Sequence, residues 1–113
     1  LKKKELEGVG MIYFVDIDKT ICETSPESGL NYENAVPMPE RISIINQLYD
    51  EGHTIVYWTA RGTKTGLDWR PVTEKQFEQW GVKYTDLRFG KPVYDLFIDD
   101  KNINSDIFFA QEV

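Results

Sequence analysis

The sequence places two aspartates, Asp16 and Asp18, directly after its most hydrophobic segment. The stretch that contains them reads FVDIDKTIC, from Phe14 to Cys22. A buried carboxylate without a partner is costly, so this pair needs either a partner or a function. Three explanations are open at this point: the edge of a turn, a metal or phosphate site, and half of a catalytic pair.

Other reactive side chains also stand beside apolar segments. Thr59 follows the run HTIVYW, Asp99 and Asp100 close the run VYDLFIDD, and Lys91 stands just before that last run. Several carboxylates in one crevice repel one another, and a hard cation such as Mg²⁺ relieves that repulsion. Carboxylates, a cation, a hydroxyl and a lysine around one cavity suit phosphoryl transfer, because negative charge spreads over oxygens in its transition state.

The elements that would position these residues alternate along the chain. Strands are predicted at 10–17, 53–58, 83–88 and 93–99, and helices from Pro39 to about Gly52, at 71–80 and at 102–110. In the first helix four residues share the predicted inward face: Ile42, Ile45, Leu48 and Tyr49. The alternation implies an α/β fold, a Rossmann-like three-layer domain with a mainly parallel sheet. Ligands of such sheets bind at the carboxyl ends of the strands, where the reactive residues fall.

Length and composition limit the possible functions. The 113 residues predict one domain, 1–113, in which the polar residues 23–37 form a short flap-like insertion. A net charge of -6 argues against a nucleic-acid partner. No segment predicts a membrane span or a signal peptide, and Cys22 alone allows no internal disulfide. We therefore expect a cytoplasmic protein that does not bind membranes.

In order and spacing the reactive residues resemble the haloacid dehalogenase (HAD) superfamily of aspartate-nucleophile phosphatases. The motifs that carry the resemblance are DxDxT at Asp16 to Thr20, a strand-ending Thr59, Lys91, and the acidic pair Asp99 and Asp100. The whole pattern, VDIDKTIC through YWTARG to IDDK, is most similar to the small, capless phosphatases associated with capsule polysaccharide biosynthesis. One departure is Lys19, where many relatives have glycine, which affects only the pocket mouth.

The resemblance implies a role for each of the main site residues. Asp16 would be the nucleophile that forms a phospho-aspartyl intermediate, and Asp18 would be the general acid and base. Mg²⁺ would bind the carboxylates of Asp16 and Asp99 and the backbone carbonyl of Asp18. Thr59 and Lys91 would hold the phosphoryl oxygens.

Further residues receive supporting roles from the same resemblance. Asp100 and Asn102 would support the metal ligands. Thr20 and Ala60 are predicted to contact the phosphate. Arg61 is predicted either to bind a substrate anion or to brace its own loop, and the sequence does not separate the two.

The expected function is Mg²⁺-dependent hydrolysis of a small phosphorylated sugar or polyol, in a homo-oligomer whose interface near residues 23–37 completes an open crevice. One alternative is a phosphatase that acts on a phosphoprotein or a nucleic-acid end. A phosphomutase is disfavoured because the short insertion cannot form a cap. A non-enzymatic receiver-like switch is disfavoured by motif order, since a receiver has its lysine last, whereas Lys91 precedes the acidic pair.

Overall fold

A three-stranded parallel sheet lies at the centre of the structure, a computed structural model that describes residues 10–24 and 31–112. The described strands, in chain order, are β1 (Ile12–Val15), β2 (Cys22–Glu23), β3 (Val36–Pro37), β4 (Thr54–Trp58) and β5 (Asp86–Arg88). The central sheet has the order β1-β4-β5, and β2 pairs with β3 in a separate antiparallel ribbon. The first three predicted strands are therefore confirmed, with shorter limits.

Helices occur at all three predicted places. They are α1 (Pro39–Asp50), α2 (Arg70–Trp80) and α3 (Ser105–Glu112). Both α1 and α2 have proline in the first turn, where its missing N–H costs nothing. Gly81 ends α2 in the left-handed region at φ 69°, which glycine adopts without strain. Among the described residues, no helix combines the length and the apolar character needed to cross a membrane.

The parallel pairing of β1 with β4 decides which residues meet beyond the strand ends. Val15 is in register with Tyr57, and Trp58 is in register with Arg88 on the next strand. Asp16, the residue after β1, therefore reaches the level at which β4 ends and its loop begins. The loops that carry the reactive residues leave the same edge of the sheet, as in other parallel sheets.

The hydrophobic core lies on one face of the central sheet. Alternate strand residues point to it, with buried side chains from all three helices: Val15, Ile55, Tyr57, Leu87, Ile42, Ile45, Leu48, Phe77 and Phe109. The predicted inward face of α1 is confirmed for three of its four residues. The prediction is wrong for the fourth, Tyr49, whose side chain is 39% exposed at the margin of the helix.

The predicted three-layer arrangement is not present in the described part of the chain. The chain moves from β1 to β4 and then to β5 in one direction across the sheet. Right-handed crossovers in one direction place both connecting helices on the same face. The opposite face of β1 accordingly exposes Ile12, at 69%, and Phe14, at 54%. A third layer would need a strand on the other side of β1, where the winding reverses.

The strand predicted at 93–99 is also wrong, because this segment forms no strand in the structure. Its composition favours a strand, but a strand also needs a neighbouring edge, and composition does not supply one. The segment pairs with no described strand, and its large apolar side chains remain in solvent. Leu96 is 74% exposed and Ile98 is 87% exposed.

Tyr57 provides a test of how the core is stabilised. Its ring packs against Phe77, with centroids 4.9 Å apart, while its hydroxyl is buried without a hydrogen-bond partner among the described residues. Tyr57→Phe keeps the ring and removes the unpaired hydroxyl, so we expect the free energy of unfolding to rise by about 1 kcal/mol. Urea denaturation measures the change, with Tyr49→Phe as the exposed control. A loss of stability in Tyr57→Phe would show that the hydroxyl has a partner.

Candidate active site at the carboxyl edge of the sheet

Asp16 follows β1 directly, and its carboxylate has two close neighbours. Its Oδ1 accepts the backbone N–H of Ile17 at 2.9 Å, and its Oδ2 lies 3.6 Å from Nζ of Lys91. Burial at the strand end raises the pKa of Asp16, and the positive charge of Lys91 offsets part of that rise. The side chain is still 40% exposed, so a ligand can reach its oxygens.

A tight turn after β1 positions Asp18. The backbone N–H of Lys19 donates to the carbonyl of Cys22 at 2.8 Å, and that of Thr20 donates to the carbonyl of Ile17 at 3.1 Å. Lys19 adopts the left-handed region, with φ 64°, in order to make this turn. Glycine would reach that region without strain, so Lys19 occupies a position of the turn that glycine would also suit.

Both carboxylate oxygens of Asp18 are hydrogen bonded. Arg61 forms a two-pronged ion pair with it, from Nε to Oδ2 at 3.0 Å and from Nη2 to Oδ1 at 2.9 Å. The hydroxyl of Thr24 also donates to Oδ1 at 2.7 Å, and Sγ of Cys22 lies 3.5 Å from the same oxygen. Asp18 is therefore fixed from the protein side, two residues after the more accessible Asp16.

Arg61 is a fully buried charged residue, because its side chain has no exposed surface. Besides Asp18, its guanidinium donates from Nη1 to Gln76 Oε1 at 2.7 Å and to Thr73 Oγ1 at 3.1 Å. Sequence reasoning did not identify these two partners. The signal was available, since Thr73 and Gln76 are polar residues on the face of α2 that also presents the buried Phe77.

The loop after β4 joins Thr59 to the segment that carries Lys91. Thr59 donates its backbone N–H to Arg88 at 3.0 Å and accepts that of Lys91 at 3.1 Å. The hydroxyl of Thr63 donates to the carbonyl of Lys91 at 2.8 Å. The Thr59 hydroxyl is buried and accepts the backbone N–H of Arg61 at 3.1 Å. These bonds hold Lys91 at the same sheet edge as Asp16.

Two further predicted phosphate contacts, Thr20 and Ala60, lie in the loops at this edge, and each is half-buried. The carbonyl of Thr20 accepts from Nη1 of Arg41 at 3.2 Å. The loop that contains Ala60 requires glycine at position 62, because a Cβ there would lie 2.1 Å from the carbonyl oxygen of Leu67. Close packing of backbone against backbone thus sets the shape of this loop.

An aromatic side chain from the 23–37 insertion borders the site. Tyr32, in a 3₁₀ turn, packs edge-to-face on Trp69 at 5.0 Å, and the Arg61 guanidinium carbon lies 4.9 Å from its ring centroid. Burial raises the pKa of Tyr32, and the negative charge of Asp18 raises it further. Tyr32 thus lies beside the guanidinium that binds Asp18. Residues 25–30 of the insertion lie outside the described residues.

The acidic motif at 99–100 is not part of this cluster. Asp99, Asp100 and Asn102 are exposed, and the Asp99 carboxylate accepts the backbone N–H of Asp100 at 2.7 Å. Within residues 10–24 and 31–112, no group of three or more acidic, histidine or cysteine side chains could hold a metal ion. The carboxylates of Asp99 and Asp100 therefore do not join those of Asp16 and Asp18 in the described structure, because the segment before Asp99 forms no strand that would hold it at this edge.

The contact between Lys91 and Asp16 yields a measurable expectation. Lys91→Met removes the nearby positive charge, so the pKa of Asp16 should rise further above its ordinary value. NMR titration of the side-chain carboxyl carbons measures the pKa directly. Lys83→Met is the matched control, because Lys83 pairs with Asp50 at 2.8 Å instead. An unchanged pKa of Asp16 in Lys91→Met would contradict the assigned contact.

Comparison with known proteins supports the fold. No protein-family model matches the sequence, and no curated protein matches it significantly. A crystal structure of a target protein from Vibrio cholerae is similar, with a TM-score of 0.76 and 24% sequence identity over 88% of each chain. This chain therefore shares an α/β fold with that protein.

Proposed function

We propose that the protein is a phosphomonoester hydrolase of the HAD type, which acts through a phospho-aspartyl intermediate on Asp16. The observation that carries the proposal is the setting of Asp16 at the end of a parallel strand. There its carboxylate is partly accessible, lies 3.6 Å from the Lys91 ammonium, and is followed two residues later by the fixed carboxylate of Asp18. A nucleophile, a cation for the phosphoryl oxygens and a proton-transfer group thus share one edge.

The chemistry assigned to these residues has two steps. An oxygen of Asp16 attacks the phosphorus, the ester P–O bond breaks, and the leaving oxygen takes a proton from Asp18, which enters this step in its protonated form and leaves it as the carboxylate. Water then attacks the phosphorus of the acyl phosphate, Asp18 takes a proton from that water, and the carboxylate of Asp16 is regenerated. Lys91 stabilises negative charge on the phosphoryl oxygens throughout, since its ammonium already faces Asp16.

Thr59, Thr20 and Ala60 are the further phosphate contacts in the proposal. All three lie in the loops at the carboxyl edge of the sheet, but the Thr59 hydroxyl is buried. It can take part only if the loop turns it towards the ligand. The other two are half-buried. The backbone N–H of Ala60 is the donor that a phosphate would use there, whereas Thr20 would offer its hydroxyl, because its own N–H donates to the carbonyl of Ile17.

The proposal includes Mg²⁺, with Asp16, Asp18 and Asp99 as its protein ligands. Mg²⁺ is usually held by one or two carboxylates, with waters and substrate phosphate as its other ligands, and the proposal takes Asp99 as the second carboxylate because that of Asp18 is already paired with Arg61. For Asp99 to contribute, segment 93–99 has to pair with the edge of β1 that no described strand occupies. Asp100 and Asn102 would then support the ligands. When bound, the cation would neutralise charge that develops on the phosphoryl oxygens.

A small phosphorylated sugar or polyol is the proposed substrate class. The resemblance to capsule-pathway phosphatases favours it. The aromatic pair of Tyr32 and Trp69, of which Tyr32 lies beside Arg61, offers a surface on which a small ring can pack. Assembly into a homo-oligomer near residues 23–37 stays a prediction.

Replacement of the nucleophile is the direct test. Asp16→Asn removes the attacking oxygen, so hydrolysis of p-nitrophenyl phosphate and of phosphosugars should fall about 10⁴-fold or more. The fold should remain. The pKa of Asp16 is raised in the folded protein, so its ionised carboxylate lowers the free energy of unfolding at neutral pH, and the uncharged Asn removes that cost. Thermal unfolding at neutral pH should therefore show no loss, and Asp50→Asn, which alters an exposed ion pair, should keep its activity. Substantial turnover by pure Asp16→Asn would reject the mechanism.

Removal of Mg²⁺, and replacement of its proposed ligand Asp99, test the metal part of the proposal. EDTA should abolish hydrolysis and Mg²⁺ should restore it, while Ca²⁺ should bind and inhibit because its ligand geometry is looser. Asp99→Asn should raise the Mg²⁺ concentration needed for half-maximal activity at least about 10-fold. Asp95→Asn, in the same exposed segment, should not change it. Full activity in EDTA would remove the metal from the proposal and leave Asp16 unaffected.

A further inference from the structure

The buried guanidinium of Arg61 has no N–H group left for a ligand. Its five N–H groups have contacts within the chain: two with Asp18, one with Cys22 Sγ at 3.8 Å, and one each with Thr73 and Gln76. A substrate anion could bind Arg61 only after displacement of one of these partners. The buried position also leaves the guanidinium without contact with solvent.

The geometry of the pair shows what Arg61 does instead. A planar guanidinium that meets a carboxylate with two parallel N–H groups fixes the plane of that carboxylate as well as its position. Gln76 and Thr73 hold the opposite side of the guanidinium, so the orientation of Asp18 is connected to helix α2. The contacts of Asp18 thus extend from the turn after β1 to a helix at 70–80.

We propose that Arg61 is a positioning residue, which orients Asp18 for proton transfer to the leaving oxygen and does not bind the transferred phosphoryl group. This inference rests on the proposed phosphatase function. It replaces the expectation that Arg61 binds a substrate anion. Its effect must pass through Asp18, so it depends on how much the leaving group needs a proton.

The leaving group supplies the experiment. An alkoxide leaves poorly without a proton, whereas p-nitrophenolate leaves readily unprotonated, so only alkyl phosphates need the acid. The ratio kcat/KM reports the steps through departure of the leaving group, and it is therefore the quantity to compare between the two esters. Arg61→Lys keeps the positive charge but loses the two parallel N–H groups that bind Asp18. In this variant kcat/KM for a phosphosugar should fall about 10²-fold. For p-nitrophenyl phosphate the fall should stay below about 10-fold.

Two further readouts separate positioning from a structural or ligand-binding role. In an Asp18→Asn background, Arg61→Lys should cause little further loss, because the residue through which it acts is already disabled. The inhibition constant of inorganic phosphate should change by less than about 3-fold, since Arg61 does not contact the phosphoryl group. An equal loss on both esters, together with weaker phosphate inhibition, would overturn the inference and restore Arg61 as an anion ligand.

A second variant covers the case in which Arg61→Lys does not fold. Gln76→Met keeps the guanidinium and removes one of its supports, so it should show the same dependence on the leaving group with a smaller magnitude. Glu74→Gln is the control on the same helix, since Glu74 is exposed and contacts only Arg70 among the pairs described. A fall in kcat/KM that is equal for both esters in Gln76→Met would also overturn the inference. Wild-type protein that hydrolyses neither ester would overturn the phosphatase function itself, and the inference with it.

Discussion

A buried charged group is stable only if its N–H groups have hydrogen-bond partners within the protein. Arg61 is such a group, since its side chain has no exposed surface. The partners of this one side chain come from the turn after β1 and from helix α2, while Arg61 itself belongs to the loop after β4. To remove one member of such a buried pair typically costs about 3–5 kcal/mol, because the other is left uncompensated. The contacts of Arg61 with Asp18, Thr73 and Gln76 therefore fix three parts of the fold relative to one another, and the positions of the site residues depend on that arrangement.

The two aspartates of the site differ in exposure and in partners. Asp16 faces Lys91 at the strand end, and its side chain is the most exposed of the site charges, at 40%. Asp18 is paired with the fully buried Arg61, and both of its carboxylate oxygens are already hydrogen bonded within the chain. Two aspartates with one residue between them thus have different environments, which is the condition for different chemical roles.

Local patterns in the sequence predicted the elements well, and pairings between elements poorly. Apolar spacing identified the buried residues Ile42, Ile45 and Leu48 because it depends only on helical periodicity. The contact of Arg61 with Gln76 depends on the rotation of α2 against the sheet, which no local pattern records. Segment 93–99 shows the limit most clearly, since its strand-like composition predicted a strand, but the segment pairs with no described strand and forms none. For the same reason Asp99 and Asp100, at its end, lie exposed and apart from Asp16 in the described structure, and their role as metal ligands stays a prediction.

The position of the single cysteine has a consequence for thiol chemistry. Cys22 is fully buried between Asp18 and Arg61, and burial raises its pKa to about 12. Only the thiolate reacts with alkylating agents, so the folded protein presents almost no reactive sulfur at neutral pH. Alkylation then requires the turn after β1 to open and expose the thiol. The rate at which iodoacetamide modifies Cys22 under native conditions therefore measures how often the turn that carries Asp18 opens locally.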